Sequence, residues 1–191
     1  MVIVGVSSDR GKWSNIMFRR LLDGPYDGEL IAVNPARNEI EGQPCYASLR
    51  DVPGEIDYVQ LLVAREHTVD AVQDCVARKV LVIHVLSSGF GEVSGEGPGF
   101  QSALVEALCG GASALIGPNS LGLYSAGHGL CFSDGCHFES GPVTFISQSG
   151  ALCTDVLAQG QTRGVKFSKV LSVGNCADLD WPDYVRYCRH D

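Results

Sequence analysis

Basic residues are scarce in this chain. Its 191 residues carry 14 Lys and Arg against 22 Asp and Glu, a formal net charge of -8. A nucleic-acid partner would need a basic face, so nucleic acid is not expected. Long apolar runs are also missing. No segment approaches the roughly 20 residues of a membrane span, and no membrane partner is expected. Met1-Val2-Ile3-Val4-Gly5 already reads as a core strand, with no basic leader region or cleavage site, so no secretory signal is expected. The eight cysteines (45, 75, 109, 131, 136, 153, 176 and 188) form no CxxC pair. Several lie in apolar patterns, as in Asp74-Cys75-Val76 and Ala107-Leu108-Cys109. They are expected to be buried, reduced thiols, which goes with a cytoplasmic setting. Cys131 and Cys136-His137 could begin a metal cluster, but no second ligand pair matches them and no metal is expected.

What is present is an alternation. From residue 1 to 125, short runs rich in Val, Ile and Leu alternate with helical stretches. Strands are predicted at Val2–Val6, Leu30–Val33, Tyr58–Val63, Val80–Leu86 and Ser113–Ile116, apolar on both faces as buried parallel strands require. Helices are predicted at Trp13–Leu22, just after Ser48, at Thr68–Arg78 and at Phe100–Cys109. Ser48-Leu49-Arg50-Asp51 reads as a capping box and Thr68 as an N-cap. Five such units predict an α/β fold with a Rossmann-like, doubly wound parallel sheet. Ligands of such sheets bind at the carboxyl ends of the strands, near the topological switch point.

Residues 126–141 hold Gly127, Gly129, Gly135 and Gly141 among Ser, His and Asp, and read as a connection. A new unit opens at Pro142, with strand Val143–Ile146, helix Ala151–Gln161, strand Lys169–Val173 and helix Tyr184–Cys188. That is too little for an independent α/β domain, so 142–191 is expected to be the truncated start of a second one. Apolar surface left open there would favour self-association into homo-oligomers.

Two strings of small residues carry a chemical signal: Gly117-Pro118-Asn119-Ser120-Leu121-Gly122 and Val143–Ala151, which includes Ser147-Gln148-Ser149-Gly150. The second reads strand, tight turn, helix start, which aims backbone N–H groups and a positive helix end at one point and suits an anion. The first strand leads into Gly5-Val6-Ser7-Ser8-Asp9-Arg10-Gly11-Lys12, where a Rossmann fold holds a pyrophosphate, although the spacing is not GxGxxG. The second strand ends Val33-Asn34-Pro35, where a NAD-binding protein usually carries Asp or Glu for the ribose hydroxyls. Asn34 is neutral and Arg37 follows, so a phosphate on that ribose would be accepted. Coenzyme A carries a 3′-phosphate there, and the pattern leans toward coenzyme A and away from NAD. The alternative is that Ser7, Ser8 and Arg10 are plain turn residues.

Seven motifs then fall in order along nearly the whole chain: Val4–Ser8, Val33-Asn34-Pro35, Gly42, Ser88-Gly89-Phe90-Gly91-Glu92, Gly117–Gly122, Ser147–Gly150 and Gly174-Asn175-Cys176-Ala177-Asp178. With them the chain resembles the CoA-binding domain, plus the start of the flavodoxin-like ligase domain, of the NDP-forming acyl-CoA synthetases, which are similar to the α subunit of succinyl-CoA synthetase. The resemblance implies the CoA-binding portion of an ADP- or GDP-forming acid–thiol ligase. It implies that Gly5, Ser7, Ser8, Arg10 and Lys12 line the CoA phosphates, and that Asn34, Pro35 and Arg37 meet the ribose and its phosphate. Val63, Ala64 and Arg65 would border the adenine or pantetheine. Ser87, Ser88 and Gly89 would form the other wall, with Phe90 either beside the ligand or in the core. Asn119 would fix the loop near the thioester end.

Ser149 and Gly150 would hold the phosphate of a phosphohistidine. In that family an acyl phosphate passes its phosphoryl group to a histidine, which carries it to a nucleotide on an ATP-grasp domain. The family's histidine lies beyond Asp191, and none of His67, His84, His128, His137 or His190 matches its motif, so no catalytic residue is expected here. His84, in an apolar strand, reads as a core residue. ATP or ADP and Mg would act only through the remaining ligase and ATP-grasp domains, as partners in the same or another chain. Ser120 stands where many relatives have Cys, which argues against an essential thiol. Ala64-Arg65-Glu66 departs from a Pro-containing segment of the family. The alternative function is a non-catalytic CoA- or acyl-CoA-binding regulatory module of the kind fused to lysine acetyltransferases. A NAD-sensing Rossmann protein is a third reading, against which the first turn and Asn34 count.

Overall fold

The computed structural model describes residues 1–189; His190 and Asp191, where the second region ends, lie outside the described residues. The chain runs β1 (Val2–Val4), α1 (Trp13–Asp23), β2 (Ile31–Val33), β3 (Glu39–Ile40), β4 (Gln43–Tyr46), β5 (Tyr58–Leu61), α2 (Arg65–Ala77), β6 (Val82–Val85), α3 (Gly97–Leu108) and β7 (Ala114–Ile116). These strands form one sheet in the order β3-β4-β2-β1-β5-β6-β7, parallel except for the β3–β4 hairpin. From β1 the chain goes outward to β2, then returns to β5 on the other side. The crossovers therefore pack on opposite faces. Phe18 and Leu21 of α1 meet Ile3, Ala32 and Cys45 on one face. Val72, Cys75 and Leu104 of α2 and α3 meet Val59, Leu61, Ile83 and Val85 on the other.

A second, three-stranded sheet holds β8 (Leu123–Ser125), β9 (Val143–Ser147) and β10 (Phe167–Ser172) in the order β8-β10-β9, with α4 (Gly150–Thr162) and α5 (Trp181–Cys188). β10 is parallel to β9 and antiparallel to β8. By hydrogen bonding, the second sheet thus already includes residues just before the expected connection. Among the described residues no helix is long and apolar enough to cross a membrane.

Several local expectations need correction. Helix α2 starts three residues early, with Ala64 at its N-cap, and Thr68 is buried with its hydroxyl donating to the Ala64 carbonyl at 3.1 Å. After Ser48 there is a single 3-10 turn, Leu49–Asp51, in which the Ser48 hydroxyl accepts the Arg50 N–H at 3.2 Å. The β3–β4 hairpin is too short for a hydrophobic alternation to announce it; its turn residues Glu41 and Gly42 both have positive φ. Cys131 and Cys136 are joined in a disulfide, because the turn at Asp134-Gly135 folds the chain back on itself. The two sulfurs are therefore not free thiols and are not available to a metal.

The two units are joined by shared packing and by polar contacts. Met17, on the side of α1 away from the first sheet, packs with Tyr124, Phe132, Cys153 and Leu157 of the second unit. The segment after β10 runs along the outer edge of β7. Ala177 N–H donates to the Gly117 carbonyl at 3.0 Å and Leu179 N–H to the Leu115 carbonyl at 3.3 Å, while the Asp178 carboxylate accepts Leu115 N–H at 2.8 Å. A sheet edge that would otherwise present unpaired backbone groups is covered. Gly174 begins this segment at φ +60°, pressed against the Pro118 and Asn119 carbonyls, where a Cβ would not fit. Next to it Asn175 donates to Glu92 at 2.6 Å and to Gln101 at 2.9 Å. The Glu92 carboxylate also accepts the N–H groups of Gly89 and Phe90.

Two predictions follow from this junction. Met17→Ala removes a buried contact shared by both units and should cost about 2–5 kcal/mol. Leu81→Ala, at an exposed position, should change stability by less than about 0.5 kcal/mol; urea melts compare them. Partial burial alone would raise the Glu92 pKa, but the donors from Asn175, Gly89 and Phe90 outweigh it and hold the group below the usual 4.5. Its contribution is therefore complete above that value and is lost as pH falls through the lowered one. Melting temperatures recorded from about pH 5 to pH 3 should fall more steeply for the wild type than for Glu92→Gln.

Candidate functional site

The carboxyl ends of β1, β2, β5 and β6 lie side by side, and most of the predicted ligand residues follow them directly. Gly5 leaves β1 at φ +93°, and a Cβ there would sit 2.7 Å from the Leu62 carbonyl oxygen. Only glycine lets the end of β1 lie that close to the end of β5. The turn that follows is held by its own side chains. The Ser7 N–H donates to the Ser14 hydroxyl at 3.1 Å, the Ser7 hydroxyl accepts Asp9 N–H at 3.1 Å, and the Asp9 carboxylate accepts Gly11 N–H at 2.9 Å. Lys12 is exposed and supplies the N-cap backbone of α1 without a side-chain cap.

The end of β2 is tied to this turn. Asn34 Nδ2 donates to the Val6 carbonyl at 2.7 Å, and its Oδ1 accepts Ala36 N–H at 2.8 Å, which shapes the Asn34-Pro35-Ala36 bend. Arg37 Nε donates to the Ser8 hydroxyl at 3.0 Å. No carboxylate among the described residues pairs with Arg37, so its guanidinium charge is uncompensated beside a hydroxyl, at the place where the two strand ends meet.

Arg10 is placed differently. It forms an ion pair with Glu41 at 2.5 Å, and Asn15 Nδ2 donates to the same carboxylate at 3.1 Å. The hydrogen bond from Arg10 holds the Glu41 carboxyl below its usual value. Arg10 therefore already has an anion, supplied by the β3–β4 hairpin that sequence patterning missed.

On the other wall, the Ser87 hydroxyl donates to the Val63 carbonyl, and Asn119 N–H donates to the Ser87 carbonyl at 2.8 Å. Arg65 donates to the Gly89 carbonyl at 3.0 Å and lies over the Phe100 ring at 4.4 Å. Ala64 and Ser88 are exposed beside them. The ends of β5 and β6 and the Gly117–Gly122 turn are thus stitched into one rim. Phe90 is fully buried among the α2 and α3 residues and belongs to the core.

Ser149 and Gly150 sit apart from this rim, at the start of α4. Ser149 is the N-cap and accepts Leu152 N–H at 3.2 Å. A Cβ on Gly150 would lie 2.8 Å from Leu121 Cβ, so the two small-residue strings touch there. A cavity of about 340 Å³ lies elsewhere, between the end of α1 and the starts of β2 and β4, lined by Leu21, Tyr26, Glu29, Ile31, Gln43 and Tyr46 among others. No Lys or Arg lines it, so it does not suit a phosphate. The strand-end crevice, with Arg37 beside the Ser8 hydroxyl, does.

Residues 1–126 match the model of the CoA binding domain, and residues 140–191 match that of the succinyl-CoA ligase like flavodoxin domain. The chain is 35% identical over 193 aligned residues to acetate–CoA ligase [ADP-forming] I of Archaeoglobus fulgidus, covering all of this chain and 28% of that protein. It is 31% identical to the α subunit of acetate–CoA ligase [ADP-forming] II of Pyrococcus furiosus, covering 98% of this chain and 41% of that one. Among solved structures, dinucleotide forming acetyl-coenzyme A synthetase 1 of Ca. Korarchaeum cryptofilum, in complex with phosphate and ADP, superposes with a TM-score of 0.90 at 31% identity, over all of this chain and 41% of that one. The chain thus spans less than half the length of these relatives. The chain belongs to the CoA binding domain family over residues 1–126, followed over residues 140–191 by a succinyl-CoA ligase like flavodoxin domain match.

Proposed function

We propose that the chain binds coenzyme A at the carboxyl ends of β1, β2, β5 and β6 and is the CoA-binding portion of an ADP-forming acid–CoA ligase. One observation carries the ligand assignment: Arg37, which pairs with no carboxylate among the described residues, is held against Ser8 beside a neutral Asn34, at the position where a dinucleotide site would carry an acid. The ADP-forming ligase names of the similar proteins support the reaction class.

In this reading residues 1–125 hold the cofactor, 126–141 connect, and 142–191 open the ligase unit. Arg37 and Ser8 clamp the 3′-phosphate, Asn34 and Pro35 shape the ribose site, and Gly5 and Ser7 bring the first turn close to the pyrophosphate. Arg10 joins the phosphates only by leaving Glu41, and Lys12 adds charge from the start of α1. Val63, Ala64 and Arg65 face Ser87, Ser88 and Gly89 across the pantetheine, and Asn119 holds the rim at the thioester end. The start of α4, at Ser149 and Gly150, receives the phosphate of a phosphohistidine carried by another segment. Phosphate attacks the acyl carbon, the C–S bond breaks, and CoA leaves as thiolate. The acyl phosphate then gives its phosphoryl group to that histidine and on to ADP. ATP or ADP, Mg and the ATP-grasp domain belong to the rest of the enzyme, and the setting is cytoplasmic. The chain's own residues bind and orient; they do none of the bond making.

Calorimetry with CoA, dephospho-CoA and NAD tests the reading. CoA should bind, dephospho-CoA about tenfold more weakly, and NAD not measurably. Arg37→Met should bring CoA down to the level of dephospho-CoA. Equal binding of CoA and dephospho-CoA would remove the role given to Arg37, and binding of NAD alone would overturn the whole assignment.

A further inference from the structure

The face of the first sheet that α1 leaves uncovered is not apolar. Tyr58 and Gln60 lie two residues apart on β5, and Gln60 is paired in register with His84 on β6. All three point away from the apolar cluster that holds Val59, Leu61, Ile83 and Val85. The sequence reading of strands apolar on both faces fails here. What covers this polar ladder is the Gly117–Gly122 turn and, through it, the second sheet.

The hydrogen bonds form one chain. Gln60 Nε2 donates to the Tyr58 hydroxyl at 3.1 Å, and that hydroxyl lies 2.7 Å from His84 Nδ1. His84 Nε2 lies 2.5 Å from the Ser120 hydroxyl, which is 2.6 Å from the Ser172 carbonyl of β10. The Ser120 oxygen also accepts Gly122 N–H at 3.2 Å, and the Ser172 hydroxyl accepts Leu121 N–H at 3.0 Å. Counting protons fixes every direction. A carbonyl can only accept, so the one Ser120 proton goes to Ser172, and His84 Nε2 must carry a proton to donate to Ser120. A neutral ring with its proton on Nε2 has only a lone pair on Nδ1, so the Tyr58 hydroxyl, which accepts from Gln60, donates to Nδ1. A serine–histidine pair this close suggests a nucleophile and its base, but the proton count rejects that role, because His84 has no lone pair to offer Ser120. Full burial, at 1% exposure, keeps the ring neutral, with its pKa lowered to about 3.

We infer that His84, as the neutral Nε2–H tautomer, is a positioning residue for the coenzyme site: through Ser120 it locks the Gly117–Gly122 turn against both sheets and so sets the rim that Asn119 shares with Ser87. The inference rests on the CoA reading for its functional half and on geometry alone for its tautomer. Asn119 N–H reaches the Ser87 carbonyl, and Ser87 reaches Val63, so a shift of the turn moves Asn119 at the thioester end together with two residues assigned to the pantetheine walls. Loss of the donor at residue 84 leaves the buried Ser120 oxygen short of a partner, and the turn relaxes.

The experiment has two parts, both on the full chain. Nitrogen NMR of the histidine-labelled protein at pH 7 should show one buried ring with protonated Nε2 and unprotonated Nδ1, its signals lost in His84→Gln. A protonated Nδ1 or a charged ring at His84 overturns the inference without touching the CoA reading. CoA calorimetry then compares His84→Gln, whose amide can still donate toward Ser120, with His84→Asn, whose shorter side chain reaches only the Tyr58 side. The Asn variant should bind CoA about tenfold more weakly and the Gln variant within about twofold of wild type. Equal behaviour of the two, whether both bind or both fail, overturns the positioning role; if the Asn variant does not fold, Ser120→Ala, which removes the same contact, takes its place, and CoA binding there within about twofold of wild type overturns the role. A wild type that binds no CoA defeats the function proposed above, while the tautomer stands or falls on its own spectrum.

Discussion

Everything in the first unit depends on β1 lying between β2 and β5. Because the chain leaves β1 in one direction and returns to it from the other, its crossovers pack on opposite faces and the loops part above the strand ends. The crevice is a consequence of connectivity, and the side chains only select what enters it. Gly5 lets the ends of β1 and β5 meet at backbone distance. Asn34 ties the end of β2 to Val6. The charge of Arg37 is left over where these ends converge.

The second unit takes the place of a helical layer. Helix α1 covers only the β1–β2–β4 side of its face. Over β5 and β6 the covering material is a turn and a strand of the second sheet, and the contact is polar, with Tyr58, His84, Ser120 and Ser172 in line. Glu92, Asn175 and Gln101 add a second polar contact near the rim, and the segment from Gly174 to Leu179 closes the sheet edge. Buried polar contacts of this kind are costly when half made, so the two units are held in one arrangement when every partner is present.

Much of this was legible in the sequence, for identifiable reasons. Strands β1, β2, β5, β6 and β7 are short apolar runs and read directly, as did α1 and the start of α4, where Ser149 is an N-cap with a side chain suited to it. That the loops after β1, β2, β5 and β6 are neighbours was legible because parallel strands place loops of one kind at one end. The β3–β4 hairpin and β8 were not, since Glu39–Ile40, Gln43–Tyr46 and Leu123–Ser125 mix polar with apolar residues and form no short apolar run like those of β1 or β2. Missing the hairpin meant missing Glu41, and so the partner of Arg10. The start of α2 was misplaced because Thr68 is a residue type that caps helices, whereas here it is buried inside one. His84 read as a core residue, and it is buried. Its partners lie 26 and 36 residues away along the chain, and the register that sets Gln60 beside His84 is fixed by the fold and not by local sequence. The Cys131–Cys136 pair could not be told from two free thiols by spacing alone.

The most direct test of the central claim is to follow backbone amide shifts of the nitrogen-labelled chain while CoA is added. The account predicts that the largest changes fall on Gly5–Arg10, Asn34–Arg37 and Ser87–Gly89, the three loops at the carboxyl ends of neighbouring strands. Changes concentrated around Tyr26, Gln43 and Tyr46, at the cavity beyond the other end of β2, would contradict it.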